Sequence, residues 1–218
     1  MMYIETENFV IKSNKLIPYI EEVMEYLNNQ IPTILEFFKQ EKLSSKKEII
    51  IWTDINEYRK HIEQFTEYKD WMCADTFDGN INMLSIEECH KTKAHEFTDV
   101  NHFKTTIAHE FVHICHQQVQ QAKEDNNDAW YWEALATNLG NPEQFSVCTI
   151  SITSNELLNS FNDIEYAYGI AYTIGNYMLS TYNQETLLNY VKNPKQLIED
   201  TPRLIEETKQ YINNKKQI

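Results

Sequence analysis

The sequence carries a His-Glu-x-x-His motif within the stretch TTIAHEFVHICHQQ, residues 105–118. On an α-helix, residues four positions apart project from the same face, so His109 and His113 can both reach one metal ion. Glu110 follows directly and lies close enough to take a proton from water that the metal activates. The motif therefore supplies two zinc ligands and a general base on a single helix.

A catalytic zinc site needs a third protein ligand and one open position. His116 shares the helix face of His113 only roughly, and His102 points elsewhere. Glu133 is the better candidate, because it opens a second predicted helix and stands among apolar residues in WYWEALAT. The alternative for Glu133 is a carboxylate stabilised by the dipole at a helix N-terminus.

These two motifs together resemble the gluzincin metallopeptidases, and most closely their aminopeptidase-like branch. The second motif of that branch reads Trp-x-x-Glu-Gly-x-Ala, and the matching stretch here begins at Trp130, with Ala134 at the position of the glycine. The likeness covers residues 49–193 in the order of elements and is specific at the zinc motifs. It implies one catalytic Zn²⁺ ion, held by the two histidines of the first motif and by Glu133.

The same resemblance assigns roles beyond the metal ligands. It implies that Glu110 is the general base and proton shuttle. The stretch YAYGIAYTIGNYML, residues 166–179, is similar to a Tyr-x-x-Gly helix start of that branch, whose tyrosine hydroxyl donates to the oxyanion of the tetrahedral intermediate. Tyr166 is the matching residue. Tyr168 and Tyr172 are alternatives, and an ordinary aromatic helix face would show the same pattern.

One signature of the branch is missing. The Gly-x-Met-Glu-Asn motif, which anchors a free substrate N-terminus, does not occur, so an endopeptidase or a peptidase of narrow specificity is expected rather than an aminopeptidase. In zincins an edge strand before the motif helix pairs with extended substrate, and the hairpin around DGNINML occupies that place. The expected partner is thus a peptide or protein substrate.

A second function stays open beside the peptidase. A non-catalytic or latent zinc-binding protein could use the same site to bind a peptide or protein, although the intact Glu110 favours catalysis. Cys73, in the predicted hairpin, could supply a thiolate to the open position of the zinc. The alternative for Cys73, as for Cys89, Cys115 and Cys148, is a small buried side chain in a reducing compartment.

The amino-acid composition limits the classes of partner that the protein is expected to bind. The formal net charge is -14, which argues against nucleic acid and against an anionic membrane surface. No apolar run approaches the roughly 18 residues of a membrane span, and MMYIETENFV lacks the features of a secretory signal. A cytoplasmic location is therefore expected. No feature of the sequence indicates an oligomeric state.

The N-terminal part of the chain mixes strand and helix patterns, and the C-terminal part is almost purely helical. This order predicts an α+β fold of zincin-like design. Residues 1–118 are expected to form a lobe with a mixed sheet that ends in the motif helix. Residues 119–218 are expected to form a helical lobe that carries the third zinc ligand. Together they make one catalytic domain with an active-site cleft between the lobes.

Periodicity and turn residues place the elements. Strands are predicted at 8–13 and 48–53, and a hairpin at 71–85 that turns at Asp78-Gly79-Asn80. Helices are predicted at 16–43 with a break or kink at Pro32, from Asp54 to Phe65, at 99–122 and at 128–140. Residues 146–152 read as a strand or an extended link, and three or four helices follow, broken near Asn183, Pro194 and Pro202.

Overall fold

The computed structural model describes residues 1–120 and 126–215, and in these ranges strands and helices form an α+β fold, as predicted. The strands are β1 (Met2–Glu5), β2 (Phe9–Ser13), β3 (Lys47–Trp52), β4 (Ala74–Asp75) and β5 (Ile81–Leu84). The helices are α1 (Ile20–Phe37), α2 (Ile55–Ile62), α3 (Ile86–Cys89), α4 (Val100–Val119), α5 (Ala129–Leu139), α6 (Ser154–Asn159), α7 (Ala167–Thr181), α8 (Gln184–Lys192) and α9 (Pro194–Lys215).

The chain divides into two compact units, Met1–Cys115 and His116–Ile218. All five strands lie in the first unit and form one mixed sheet in the order β1-β2-β3-β5-β4. Strands β2, β3 and β5 run parallel, whereas β1 and β4 pair antiparallel to their neighbours. Ile11, Ile49 and Ile81 are register partners on the three parallel strands, and all three side chains are buried. The sheet face that these three isoleucines share therefore lies in the hydrophobic core of the first unit.

Predicted turns and caps hold this sheet in place. The Asp54 carboxylate accepts the backbone N–H groups of Asn56 and Glu57 and so caps α2, as expected. Helix α2 ends at Ile62 rather than at Phe65. The β4–β5 hairpin turns at Gly79, whose φ of 77° suits a residue without a Cβ atom.

The second unit is helical in the residues that the structure describes. Helices α5 and α7 pack so closely that a Cβ atom on Gly175 would lie 2.7 Å from the carbonyl oxygen of Ala134. The Asn138 amide donates to the carbonyl of Tyr172 at 2.9 Å, which fixes the register of the same two helices. A glycine is therefore required where α7 crosses α5.

Pro32, where a break or a kink is predicted, and Pro202, where a break is predicted, both lie inside continuous helices. Helix α1 continues through Pro32, and α9 continues through Pro202, so the break predicted at Pro202 is wrong. Both prolines face solvent, while apolar residues on the opposite side of each helix are buried. Burial of that apolar face outweighs the loss of one backbone hydrogen bond. The breaks near Asn183 and Pro194 are confirmed as the starts of α8 and α9.

The other departures are small. Strand β1 and the short helix α3 are absent from the prediction. Residues 146–152 belong to no strand or helix, which agrees with the link that the sequence analysis left open. Helix α4 ends at Val119, and residues 121 and 122 of its predicted range lie outside the described residues. Across the two described ranges, no helix combines the length and the apolar character needed to cross a membrane.

Candidate metal centre

Helix α4 carries the motif in a segment that is buried on nearly every side. The Asp99 carboxylate accepts the backbone N–H of His102 at 2.7 Å and so satisfies one of the free donors at the helix start. Residues 107–116 are buried apart from His113, which is half-buried. An ionisable pair such as His109 and Glu110 is costly inside an apolar helix, and such pairs cluster at functional sites.

The two motif histidines face one another. The Nε2 atoms of His109 and His113 lie 3.1 Å apart, and the two rings are nearly perpendicular, at 86°. Two nitrogen ligands of a tetrahedral zinc ion, each about 2.0–2.1 Å from the metal, stand roughly 3.3 Å apart. The observed separation therefore suits two ligands of one ion.

Glu133 completes a group of three potential ligands. One ligand atom from each of His109, His113 and Glu133 lies within 4.8 Å of the others, so the group could hold a metal ion. Glu133 and His113 are half-buried, whereas His109 is buried. The three residues expected to bind zinc are thus brought together.

The start of α5, and with it Glu133, is anchored by a buried carboxylate that the sequence did not single out. Asp128 accepts hydrogen bonds from the Gln120 amide at 2.7 Å and from the indole N–H of Trp132 at 3.1 Å. Burial raises the pKa of Asp128, and these two hydrogen bonds lower it in part. The Trp132 ring stacks on His116 with centroids 4.1 Å apart.

The remaining histidines of α4 have other surroundings. His116 is buried between the rings of Tyr131 and Trp132, and its stacking on Trp132 helps to hold the start of α5 in place. His102 lies 6.2 Å from the ring of His95, and its pKa is lowered by burial and then by that neighbour. The group of potential ligands found in the described residues includes neither of them.

The surroundings of Glu110 in the first unit are a cluster of buried polar groups. Burial raises the pKa of Tyr58, and the charges of Asp75, Cys73 and Glu110 raise it further. The pKa of Cys73 is raised well above its ordinary value, first by its hydrogen bond with the Cys89 thiol and then by burial, with a further contribution from Glu110. The group of potential metal ligands in the described residues does not include Cys73.

Tyr166 stands at the beginning of α7. It is the N-cap residue of that helix, is 79% exposed and adopts a left-handed backbone conformation with φ 60°. A non-glycine residue in this region carries strain of about 1–3 kcal/mol, a feature that occurs at functional sites. Tyr166 also lines an open depression of about 580 Å³ with Cys148, Ile152 and Ile170.

The two alternative tyrosines are engaged differently. Tyr172 stacks on Phe145 with centroids 5.8 Å apart, and its carbonyl accepts the Asn138 amide. Tyr168 is 38% exposed and lies tilted against Phe161. The role of Tyr166 as oxyanion donor stays a prediction.

Sequence reasoning missed several residues that build the site. Asp128 is the first residue of a predicted helix, where a carboxylate is favoured, so its place as an anchor could have been suspected from its position alone. Gly175 interrupts a helical pattern, which is a signal of close helix packing. The contacts of Cys73 and Cys89 with Leu84 leave no trace in the spacing of the cysteines, because they depend on how the hairpin folds back.

No protein-family model matches the chain, and a search of curated proteins finds no match either. The resemblance to gluzincins therefore rests on the two sequence motifs alone.

Proposed function

We propose that the protein is a zinc-dependent peptidase that hydrolyses peptide bonds with Glu110 as general base. The observation that carries this proposal is the convergence of His109, His113 and Glu133, whose ligand atoms lie within 4.8 Å of one another. Glu110 directly follows the first of these ligands and is buried with it. We also propose that the fold is zincin-like, with a sheet lobe and a helical lobe.

The donor set suits zinc. Two imidazole nitrogens and one carboxylate oxygen are one of the ligand sets found in catalytic zinc sites, which keep a further position open. A purely structural zinc site is closed by four protein ligands, and the described residues offer three here. The donor chemistry therefore favours a catalytic ion over a structural one.

Each residue of the site has a chemical task in this proposal. Bound zinc would supply a Lewis acid that polarises the substrate carbonyl and makes water more acidic. Glu110 takes the proton from the attacking water and passes it to the nitrogen of the departing amine. The Tyr166 hydroxyl donates a hydrogen bond to the oxyanion that develops on the substrate.

The substrate proposed is an internal stretch of a peptide or protein. Strand β4 is the last strand in the sheet order and pairs with β5, so a substrate strand could extend the sheet along its other side. The motif that anchors a free N-terminus in the aminopeptidases is missing from the sequence. These two features together favour an endopeptidase.

The test combines metal analysis with cleavage of a broad peptide library. The wild-type protein should bind one zinc ion per chain and cleave library peptides. A Glu110→Gln protein should keep the zinc and lose about 10²–10⁴-fold in rate, because Gln retains the shape of the side chain but cannot accept the proton. Glu143→Gln, a change of an exposed glutamate, is the matched control and should leave both properties unchanged.

The outcomes separate the two functions. A protein that binds zinc stoichiometrically but cleaves nothing would support the non-catalytic zinc-binding protein. Full activity in Glu110→Gln would remove Glu110 from the mechanism, and failure to bind zinc would overturn the proposal as a whole.

A further inference from the structure

The depression beside Tyr166 is built by one continuous stretch of the chain. Its volume is about 580 Å³, and its lining residues lie between Cys148 and Ile170, in the extended link, in α6 and at the start of α7. All of them belong to the second unit. Pockets that bind ligands have volumes of about 300–1,000 Å³, so the depression is large enough for a side chain together with part of its backbone.

Part of this lining is apolar. Ile170 is buried, and Ile152 and Ile164 are half-buried, so each has apolar surface packed against the protein and two of them keep some of it open to the depression. An occupant with an aliphatic segment would remove this open surface from water. The lining therefore favours an occupant that is not polar along its whole length.

The rest of the lining carries three carboxylates, from Glu156, Asp163 and Glu165, and all three residues are exposed. The Glu156 carboxylate accepts the Thr153 backbone N–H at 2.8 Å and the Thr153 hydroxyl at 2.7 Å. These hydrogen bonds lower the pKa of Glu156 and hold its side chain in one orientation. Within residues 126–215, no ion pair joins any of the three carboxylates to a cationic side chain.

The sequence around the depression contains no positive charge. Residues 124–191, which include the entire lining, have no lysine, arginine or histidine. The fixed charges that the lining brings to the depression are thus all negative. Such a surface attracts a cationic group and repels an acidic one.

We propose that the depression binds a lysine or arginine side chain of the peptide substrate. These two side chains combine an aliphatic stem with a cationic head, so the stem can pack on the isoleucines while the head meets the carboxylates. Tyr166, the proposed oxyanion donor, borders the depression, and the basic residue therefore lies near the bond that is cleaved. Its place beside that bond rests on the proposed function, whereas the binding of basic peptides does not.

The first experiment measures binding without cleavage. Fluorescent peptides of neutral residues, identical except for one central lysine, norleucine or glutamate, are titrated with full-length Glu110→Gln protein, and the fluorescence anisotropy is recorded. Norleucine keeps the aliphatic stem but lacks the charge. Because an exposed ion pair contributes up to about fivefold in affinity, the three carboxylates should favour lysine over norleucine by about tenfold. Glutamate should bind most weakly.

Salt provides a second measurement on the same protein. At about 1 M salt the Debye length falls to about 3 Å, so exposed charges are screened from one another. The preference for lysine over norleucine should then shrink toward one, while binding of the norleucine peptide should change little. In the cleavage library, wild-type protein should favour lysine or arginine over norleucine and glutamate at one position near the cleaved bond.

Variants assign the preference to the depression. The double variant Asp163→Asn/Glu165→Gln should lower the preference for lysine to about twofold, since one carboxylate remains. Glu143→Gln/Glu185→Gln is the matched control, because it removes the same charge from exposed glutamates outside the lining and should leave the preference unchanged. Asp163→Lys/Glu165→Lys should bind the glutamate peptide best, a reversal that a misfolded protein cannot produce.

The outcomes separate this proposal from the proposed function. Equal binding of the lysine and norleucine peptides at low salt would overturn it, and so would a lysine preference that survives the loss of Asp163 and Glu165 charge. Cleavage with no preference for basic residues would overturn it while leaving the peptidase intact. Selective binding of the lysine peptide by a protein that cleaves nothing would uphold the basic-residue site and count against the peptidase.

Discussion

Helices α4 and α7 carry the proposed chemistry in opposite settings. The motif segment of α4, residues 107–116, is buried on nearly all sides, whereas the first turn of α7 opens to solvent at Tyr166. Farther along, α7 is enclosed as well, because Gly175 packs directly on the backbone of Ala134. Helix α4 is thus held by packing along the whole motif segment. Helix α7 is held by packing around Gly175 but not at Tyr166.

This difference matches the tasks proposed for the two helices. Metal ligands must be held close to one geometry, and burial on rigid helices provides that restraint. An oxyanion donor must instead meet a substrate that arrives from solvent, so it has to remain accessible. We therefore expect substitutions in the motif segment of α4 to weaken metal binding strongly. Substitutions at the start of α7 should slow turnover, and substitutions in the middle of α7 should change the stability of the protein.

The largest effect is expected from His113→Ala. Loss of a partner in the outer shell of a metal costs about 10–100-fold in affinity, so loss of a direct ligand should cost more than about 100-fold. Competition with a chromogenic chelator would measure the zinc affinity, and cleavage should be lost with the metal. His102→Ala is the control on the same helix and should bind zinc like the wild type. If His113→Ala bound zinc with undiminished affinity, the ligand assignment on α4 would have to be abandoned.

Much of the fold could be predicted from local sequence features. The β-branched run at 48–53, the Asp54 cap and the Asp78-Gly79-Asn80 turn each specify a local conformation, and the structure confirms each of them. Pro202 could not be placed in the same way. Whether a helix breaks at a proline depends on how much apolar surface packs on both sides of it, and that is a property of the tertiary structure.

The candidate site could be predicted where one helix supplies the geometry. The spacing of His109 and His113 fixes their relation directly, while Glu133 was indicated by its place among apolar residues in a second predicted helix and then by the resemblance between motifs. Asp128 could not be found in this manner, because its partner Gln120 lies beyond the end of α4 and their contact depends on the folded chain.

An intermediate effect is expected from Tyr166→Phe. Removal of one oxyanion donor costs about 10²–10³-fold in kcat, and KM should change little because the hydroxyl acts mainly in the transition state. Zinc content should stay at the wild-type level. Steady-state kinetics on a peptide from the library would measure the effect. Tyr168→Phe and Tyr172→Phe are matched controls; a loss confined to one of these would move the role to that tyrosine.

The smallest effect is expected from Gly175→Ala, in the enclosed part of α7. The added Cβ atom would lie 2.5 Å from the Asn138 amide nitrogen and 2.7 Å from the Ala134 carbonyl oxygen. The amide can rotate away, but the carbonyl belongs to the backbone of α5, so the two helices must separate. Overpacking of this kind costs about 1–3 kcal/mol of the free energy of unfolding.

Gly169→Ala is the matched control on the same helix. The two variants together compare the packing at the start of α7 with the packing in its middle. A Cβ atom on Gly169 would make an ordinary contact, 4.0 Å from the Cys148 sulfur. Replacing glycine by alanine inside a helix then stabilises by about 0.5–1 kcal/mol, because the unfolded chain loses freedom. Urea titrations with equal m-values should move the two midpoints in opposite directions. Midpoints that move together would show that α7 is as free at Gly175 as at its exposed start, and the close packing of α7 on α5 would be refuted.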